Sequence, residues 1–477
     1  MKNLPVVEGL LNYIKENNAP FSMPGHKGGR AFMNREEGTG LQKIMLHGDI
    51  TEVEGLDNYH DPKGIIKEGQ NLLKELYGSE ESYFLVNGST SGNLVMIFST
   101  FKEGDKILVE RNCHKSIFNA IILRKLQPIY IKNLYSSIYN APISIDMEHF
   151  LRLIEKHSDI KGIILTYPNY YGTACDLATI IEKCKEKGIK VLIDCAHGAH
   201  FGISEMLPEN PMKLGAHMAV MSAHKTLPSL TQTAYLHLGR DVDKNKVKFY
   251  LSAFSSTSPS YIFMASMDYA RFYLSEYGKE EFENCISLVE KYGEKIDKLQ
   301  GFSVWKEEDI HQEYPKCQLK MDRSRLVIHV DEGYSAHLIL DYLREKGLQC
   351  EMSDGYNLVL IASPFNSLED YKRLYDALKQ CPLDKFKVDF HMNWKSNLPE
   401  VGLLPWEALE SEVEEMNLND SVGRISAANI VPYPPGIPLI MMGEIIDKFT
   451  VNMIQYCIRN GVTILGFEGN KIKVVKR

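Results

Sequence analysis

The chain has 477 residues, 44% of them hydrophobic and 24% charged, with a formal net charge of −8. This composition is ordinary for a globular chain of about three domains, and its interspersed charges leave no basic footprint for nucleic acid. Nine cysteines without a CxxC pair read as free thiols in a reducing compartment, and neither a leader nor an apolar run of ~18 residues occurs, so a cytoplasmic protein is expected.

Residues 1–60 read as an arm rather than a compact domain. A short amphipathic helix, Val6 to Ile14, precedes Phe21-Ser22-Met23-Pro24-Gly25-His26-Lys27-Gly28-Gly29-Arg30, whose proline and glycines exclude regular structure. A polar, turn-rich stretch follows. Its acids Asp49, Glu52, Glu54 and Asp57 suit either a solvated loop or an arm laid over a site to meet a cationic substrate.

From residue 61 to 278 helix and strand alternate. The expected elements are helix Gly64 to Tyr77, strand Ser82 to Val86, helix Leu94 to Thr100, strand Lys106 to Val109 and strand Pro128 to Ile131. Helix Asp146 to His157, strand Gly162 to Leu165, helix Leu177 to Lys187 and strand Lys190 to Asp194 come next. Such alternation predicts an α/β fold with a mostly parallel sheet covered on both faces. Ligands of such sheets sit at the carboxyl ends of the strands.

Those ends carry the chemistry. Lys225 stands where the buried run Val220-Met221-Ser222-Ala223 gives out. A desolvated lysine there has a lowered pKa and can form a Schiff base, although a lone strand-end lysine also simply snorkels to solvent. Asp194 ends the strand 31 residues upstream. Taken together the two fit pyridoxal phosphate, the lysine on the aldehyde and the aspartate on the pyridine nitrogen; alone, Asp194 would be a turn or capping residue. The run Asn87-Gly88-Ser89-Thr90-Ser91-Gly92-Asn93 is expected as a turn at a helix start, where N–H groups and hydroxyls suit a phosphate or merely cap the helix. His114, in Arg111-Asn112-Cys113-His114, and Thr166 fall at the same sheet edge. His114 could stack on the ring or be a structural histidine.

Beyond Lys225, a strand Thr233 to Leu238 is expected to close the sheet. Ser256 and Thr257 lie in a Ser/Thr-rich segment before two expected helices, Ile262 to Tyr277 and Lys279 to Leu299. A smaller α/β domain is expected over 279–381, with strands Arg325 to Val330 and Leu358 to Ile361 and helices Ser335 to Lys346 and Leu368 to Lys379. The stretch Pro382 to Asp389 reads as a boundary, leaving a C-terminal domain over 382–477. There, Arg424 and Glu444 are candidate substrate contacts, and Val431 to Pro438 carries four prolines that fix an extended loop.

Eight segments carry a resemblance: MPGHKGG, GLDNYHDPKG, NGSTSGN, RNCHKS, DCAHGAHF, SAHKTLPSLTQTA, STSPSY and GRISAANIVPYPPGIPL. In this order they resemble the short form of the Orn/Lys/Arg decarboxylase family, pyridoxal-phosphate enzymes of the aspartate-aminotransferase fold (fold type I). The resemblance implies that Lys225 carries the Schiff base, Asp194 pairs with the pyridine nitrogen and His114 stacks on the ring. It places Ser89, Thr90, Ser91, Ser222 and His224 at the phosphate and His197 near the cofactor. In this fold class the segment of Ser256 and Thr257 reaches the phosphate of a neighbouring subunit, implying a homodimer or higher homo-oligomer. Cys195 departs from the family, where short forms more often carry Glu, and Pro228 stands where a small residue is usual.

The reading is decarboxylation of a basic amino acid, arginine first and then lysine or ornithine, within polyamine biosynthesis. Lys225 or His224 returns a proton to Cα. An aminotransferase or lyase on the same fold shares these cofactor residues, and an inactive cofactor-binding homologue is the remaining alternative. No metal, membrane or nucleic-acid partner is expected.

Overall fold

The computed structural model describes residues 4–33, 35–388, 398–433, 438–459 and 462–476. At its centre is a seven-stranded sheet of β1 Glu81–Leu85, β2 Lys106–Glu110, β3 Gln127–Ile131, β4 Gly162–Thr166, β5 Lys190–Asp194, β6 Met218–Met221 and β7 Ala234–Leu238. The spatial order is β1-β7-β6-β5-β4-β2-β3. From β3 to β6 all neighbours are parallel. β7 runs antiparallel to both of its neighbours, so it is inserted within the sheet rather than closing its edge.

The strands are near-continuous apolar runs because both faces are covered. One apolar cluster packs Leu108, Ile163, Val191, Ile193 and Ala219 beneath helices Ile65–Tyr77 and Leu177–Glu186. The other packs Val109, Ile164, Leu192 and Val220 beneath helices Gly88–Thr100 and Lys115–Leu123. Helix Gly88–Thr100 comes close to β6 at Gly92, where a Cβ would stand 2.4 Å from a Val220 methyl. That approach brings its first turn to the strand end that leads to Lys225.

Several expectations need correction. The run 88–93 is not a turn before a helix: helix Gly88–Thr100 begins six residues earlier than expected, with Asn87 preceding it. Propensity misleads here because Gly and Ser are poor helix formers, and tertiary packing overrides them. The two helices expected around Gly278 are one helix of 36 residues, Tyr261–Ile296. Gly278 packs against Leu274 and Ile203 and breaks nothing. A hairpin, Asn133–Ser136 with Ala141–Ile145, was not expected.

The arm also holds regular structure. Helix Pro5–Lys15 buries no residue, Ala19–Phe21 pairs in parallel with Leu348–Cys350, and helix Glu36–His47 follows a 3₁₀ turn at Arg30–Phe32. A second sheet orders Phe302–Val304, Arg325–Val330, Asn357–Ile361 and Met352–Ser353, all antiparallel. Helices Ala336–Glu345 and Leu368–Lys379 share its apolar cluster. C-terminal residues form a separate cluster around Ile430, Ile440, Ile454 and Val474. Asp389 of the expected boundary and Pro434 to Ile437 of the expected proline loop lie outside the described residues.

Candidate active site

Asp194 ends β5 and is buried. Its Oδ2 accepts a hydrogen bond from Asn93 Nδ2 at 2.9 Å, and its Oδ1 accepts from the Ala196 N–H at 3.2 Å. Asn93 Nδ2 also donates to Ser116 Oγ at 2.9 Å, which lies 2.8 Å from His114 Nδ1. His114 is the N-cap of helix Lys115–Leu123, its ring nitrogen accepting from the Ser116 N–H. One hydrogen-bonded chain therefore joins Asp194 to His114. Asn93 and Ser116 escaped sequence reasoning; the signal present was only that each stands in a helix start.

Lys225 lies in the short turn of helix Ala223–Thr226 directly after β6. Its Nζ is 2.9 Å from His197 Nε2. Burial lowers the Lys225 amine to about 8, against the opposing pull of Asp194 and Glu351. Burial, then the positive charge of Lys225, pushes His197 well below its ordinary value. A neutral imidazole there can accept a hydrogen bond from the amine without competing for its proton.

Ser89 Oγ and Ser222 Oγ are 2.7 Å apart, so the first turn of helix Gly88–Thr100 meets the turn of Lys225. No side chain caps this helix, so its first N–H groups remain available to a phosphate, as P-type anion sites require. Thr90 is exposed on that turn. Ser91 instead donates within the helix to the Gly88 carbonyl at 2.8 Å. His224 Nδ1 lies 2.8 Å from the Thr233 carbonyl, where it donates, leaving Nε2 as the other proton site. The hydroxyl of Thr166 and Nδ1 of His197 are buried polar atoms without a hydrogen-bond partner. Such orphans mark places for an absent polar group. With a lysine of lowered basicity, a buried strand-end carboxylate and an uncapped helix start, this donor set fits pyridoxal phosphate.

The arm closes over the same turn. Gly25 N–H donates to the His224 carbonyl at 2.7 Å, and a Cβ on Gly25 would stand 2.6 Å from the Leu227 carbonyl oxygen. Lys27 is fully buried, its amine donating to the Ser22 and Ile361 carbonyls at 2.6 and 2.8 Å. Glu351, also missed from the sequence, accepts from the Tyr170 hydroxyl at 2.6 Å and the Met23 N–H at 2.9 Å. The Tyr170 ring packs 4.8 Å from that of His197.

Other candidates are placed elsewhere. Ser256 and Thr257 are exposed, and the bonds of Ser256 are local: its Oγ pairs with Ser258 and its carbonyl with His60. Glu444 is committed to a two-pronged ion pair with Arg111. Arg424 is bound to Glu414 and to the Val475 carbonyl, within the C-terminal unit. Asp57 accepts from backbone N–H groups of Lys63, Gly64 and Ile66, capping the next helix. Glu52 serves Asn58 and Tyr59. Cys195 is buried within the apolar cluster under the sheet.

Residues 4–370 match the model of the Orn/Lys/Arg decarboxylase major domain, and residues 393–468 match that of its C-terminal domain. The chain belongs to the Orn/Lys/Arg decarboxylase family. Among relatives of this decarboxylase-family chain, the Bacillus subtilis protein named "Uncharacterized protein YaaO" is 36% identical, over 95% of this chain and 94% of its own. The arginine decarboxylase of Bacillus subtilis is 32% identical over 99% of this chain and 97% of its own. The solved Francisella novicida lysine decarboxylase superposes with a TM-score of 0.79 at 20% identity, over 99% of this chain and 83% of that one. These comparisons agree with an α/β fold of type I with a separate C-terminal domain.

Proposed function

We propose that the chain decarboxylates a basic amino acid with pyridoxal phosphate, arginine first and then lysine or ornithine. The observation that carries the reading is the Lys225 amine, lowered to about 8 and 2.9 Å from His197, in the turn that follows the strand beside the one that ends in Asp194. Relatives named arginine decarboxylase at 31–32% identity support arginine over lysine, for which the named relatives are 23% identical. When bound, the cofactor supplies an electron sink for the substrate Cα.

The chain's residues do the rest. Lys225 holds the cofactor aldehyde, and neutral His197 accepts a hydrogen bond that orients its amine. Asp194, fixed by Asn93, keeps the ring nitrogen protonated. The uncapped start of helix Gly88–Thr100, with Ser89, Thr90 and Ser222, receives the phosphate. His114 stacks against the ring, and Thr166 offers it a hydroxyl. Lys225 or His224, from Nε2, returns a proton to Cα. We assign the distal cation of the substrate to Glu351, the acid that with Asp194 acts on Lys225. A desolvated cation requires such a partner.

On the same reading residues 1–60 form the arm, 61–278 the cofactor domain, 279–381 a small domain and 382–477 the C-terminal domain. The boundary at 278 falls inside the continuous helix Tyr261–Ile296, which ties the two parts together. We further propose a homodimer or higher homo-oligomer in which Ser256 and Thr257, exposed in one chain, meet the phosphate of the next. The exposed apolar side chains Val6, Leu10 and Ile14 on the first helix support this. Nine free cysteines support a cytoplasmic place, and an amine product would put the reaction in polyamine biosynthesis.

The test incubates the protein and pyridoxal phosphate with each common amino acid, with and without a keto-acid acceptor. Equal amounts of CO2 and amine from arginine, lysine or ornithine, without an acceptor, are expected. A new keto acid formed only with the acceptor replaces the reading with an aminotransferase.

A further inference from the structure

We propose that the Arg111–Glu444 ion pair is a positioning clamp, through which the C-terminal segment sets the loop that carries His114. The two guanidinium Nη atoms meet the two carboxylate oxygens at 2.6 and 2.8 Å, with side-chain exposures of 6% and 2%. Arg111 follows β2 and precedes His114 by three residues. Its guanidinium also lies 5.0 Å from the centre of the Tyr130 ring, and its Nε has no hydrogen-bond partner. The carboxylate fork is therefore what fixes the orientation of this side chain.

Glu444 is itself held firmly. Its Oε2 accepts from the Met441 N–H at 2.7 Å, and its carbonyl accepts from the Ser426 N–H at 2.8 Å. Met441 lies in one apolar cluster with Ile117, Phe118 and Ile121, on the helix that His114 caps. Past the other end of that helix, the Lys125 amine lies 4.8 Å from the Trp406 ring and 3.5 Å from Glu410. The C-terminal segment thus grips the helix of His114 at both ends. On the side facing Asp194 the same loop is held through Asn93 and Ser116.

Stability does not account for the pair. Desolvating two charges costs about as much as their attraction returns, so apolar replacements of similar volume generally keep a fold intact. What the planar fork supplies is one fixed geometry. Pyridoxal phosphate enters only through what His114 does, so in that respect the clamp rests on the function proposed above.

The test uses the full chain carrying Arg111→Met with Glu444→Leu, and separately Arg111→Lys, which keeps the charge and loses the fork. Amide exchange over residues 111–116 is followed without added cofactor, and pyridoxal phosphate affinity, kcat and KM with it. Exchange about tenfold faster in this loop and unchanged in β5 is expected, with pyridoxal phosphate bound about tenfold more weakly and kcat falling more than KM. If the paired variant does not fold, Arg111→Lys carries the same expectation. Loop exchange and affinity equal to the parent's in a folded variant overturn the clamp. A parent chain that binds no pyridoxal phosphate sinks the proposed function instead, and the exchange measurement still decides the clamp.

Discussion

Two buried groups set the pH behaviour of single residues. In its proposed role Lys225 would attack only as the neutral amine, and with its pKa lowered to about 8 that form grows as pH rises through 8. The rate at which the cofactor-free protein captures pyridoxal phosphate should therefore climb about tenfold per pH unit below 8 and level off above it, as stopped-flow absorbance would read. A rate still climbing about tenfold per unit past pH ~9, as an ordinary lysine would give, would remove the special status of this amine. Glu110, at the end of β2, is pushed up to about 7 by burial, although it accepts bonds from Asn133 and the Thr166 N–H. Its folded value lies above its ordinary one, so its contribution is full below pH ~4.5 and is lost as pH rises through ~7. Glu110→Gln should thus gain stability over the parent between pH 5 and 8, by on the order of 2 kcal/mol, read as a widening Tm difference. The lysine and the strand-end aspartate were legible in the sequence because each terminates an apolar run. Asn93 and Glu351 were not, because their partners are distant: Asn93 bonds Asp194 across 101 residues and Glu351 bonds Tyr170 across 181.

At the scale of elements, the arm and the Lys225 turn form one packed unit. Gly25→Ala would drive a Cβ into the backbone of Thr226 and Leu227. A loss of about 1–3 kcal/mol on chemical denaturation is expected, with impaired cofactor capture. Gly40, inside helix Glu36–His47, has nothing within 4 Å of its would-be Cβ. Gly40→Ala should raise stability by about 0.5–1 kcal/mol. Equal effects at the two positions would contradict the close approach at Gly25. The central strands were readable because burial on both faces leaves unmistakable apolar runs. In the arm the helix expected over Val6 to Ile14 is there as Pro5–Lys15, but the strand Ala19–Phe21 was not readable, since it forms only by pairing with Leu348–Cys350, and no local pattern encodes that partner.

Across the whole molecule, the site is assembled from three parts of the chain. The central sheet supplies Asp194 and Lys225, the small sheet region supplies Glu351, and the arm lies over both. On the proposed assignment of the distal cation to Glu351, Glu351→Gln should raise KM for a basic substrate by about ten- to a hundredfold while changing kcat less, because it would remove the paired charge. Steady-state kinetics with arginine and lysine read this directly. An unchanged KM would move the cation site elsewhere. The measurement that bears most directly on the site as a whole is to load the protein with pyridoxal phosphate, reduce it with borohydride, and map the label by peptide mass spectrometry. The expected result is a single pyridoxyl group on Lys225, lost in Lys225→Ala. A label on Lys27 or any other lysine, with Lys225 unmodified, would contradict it.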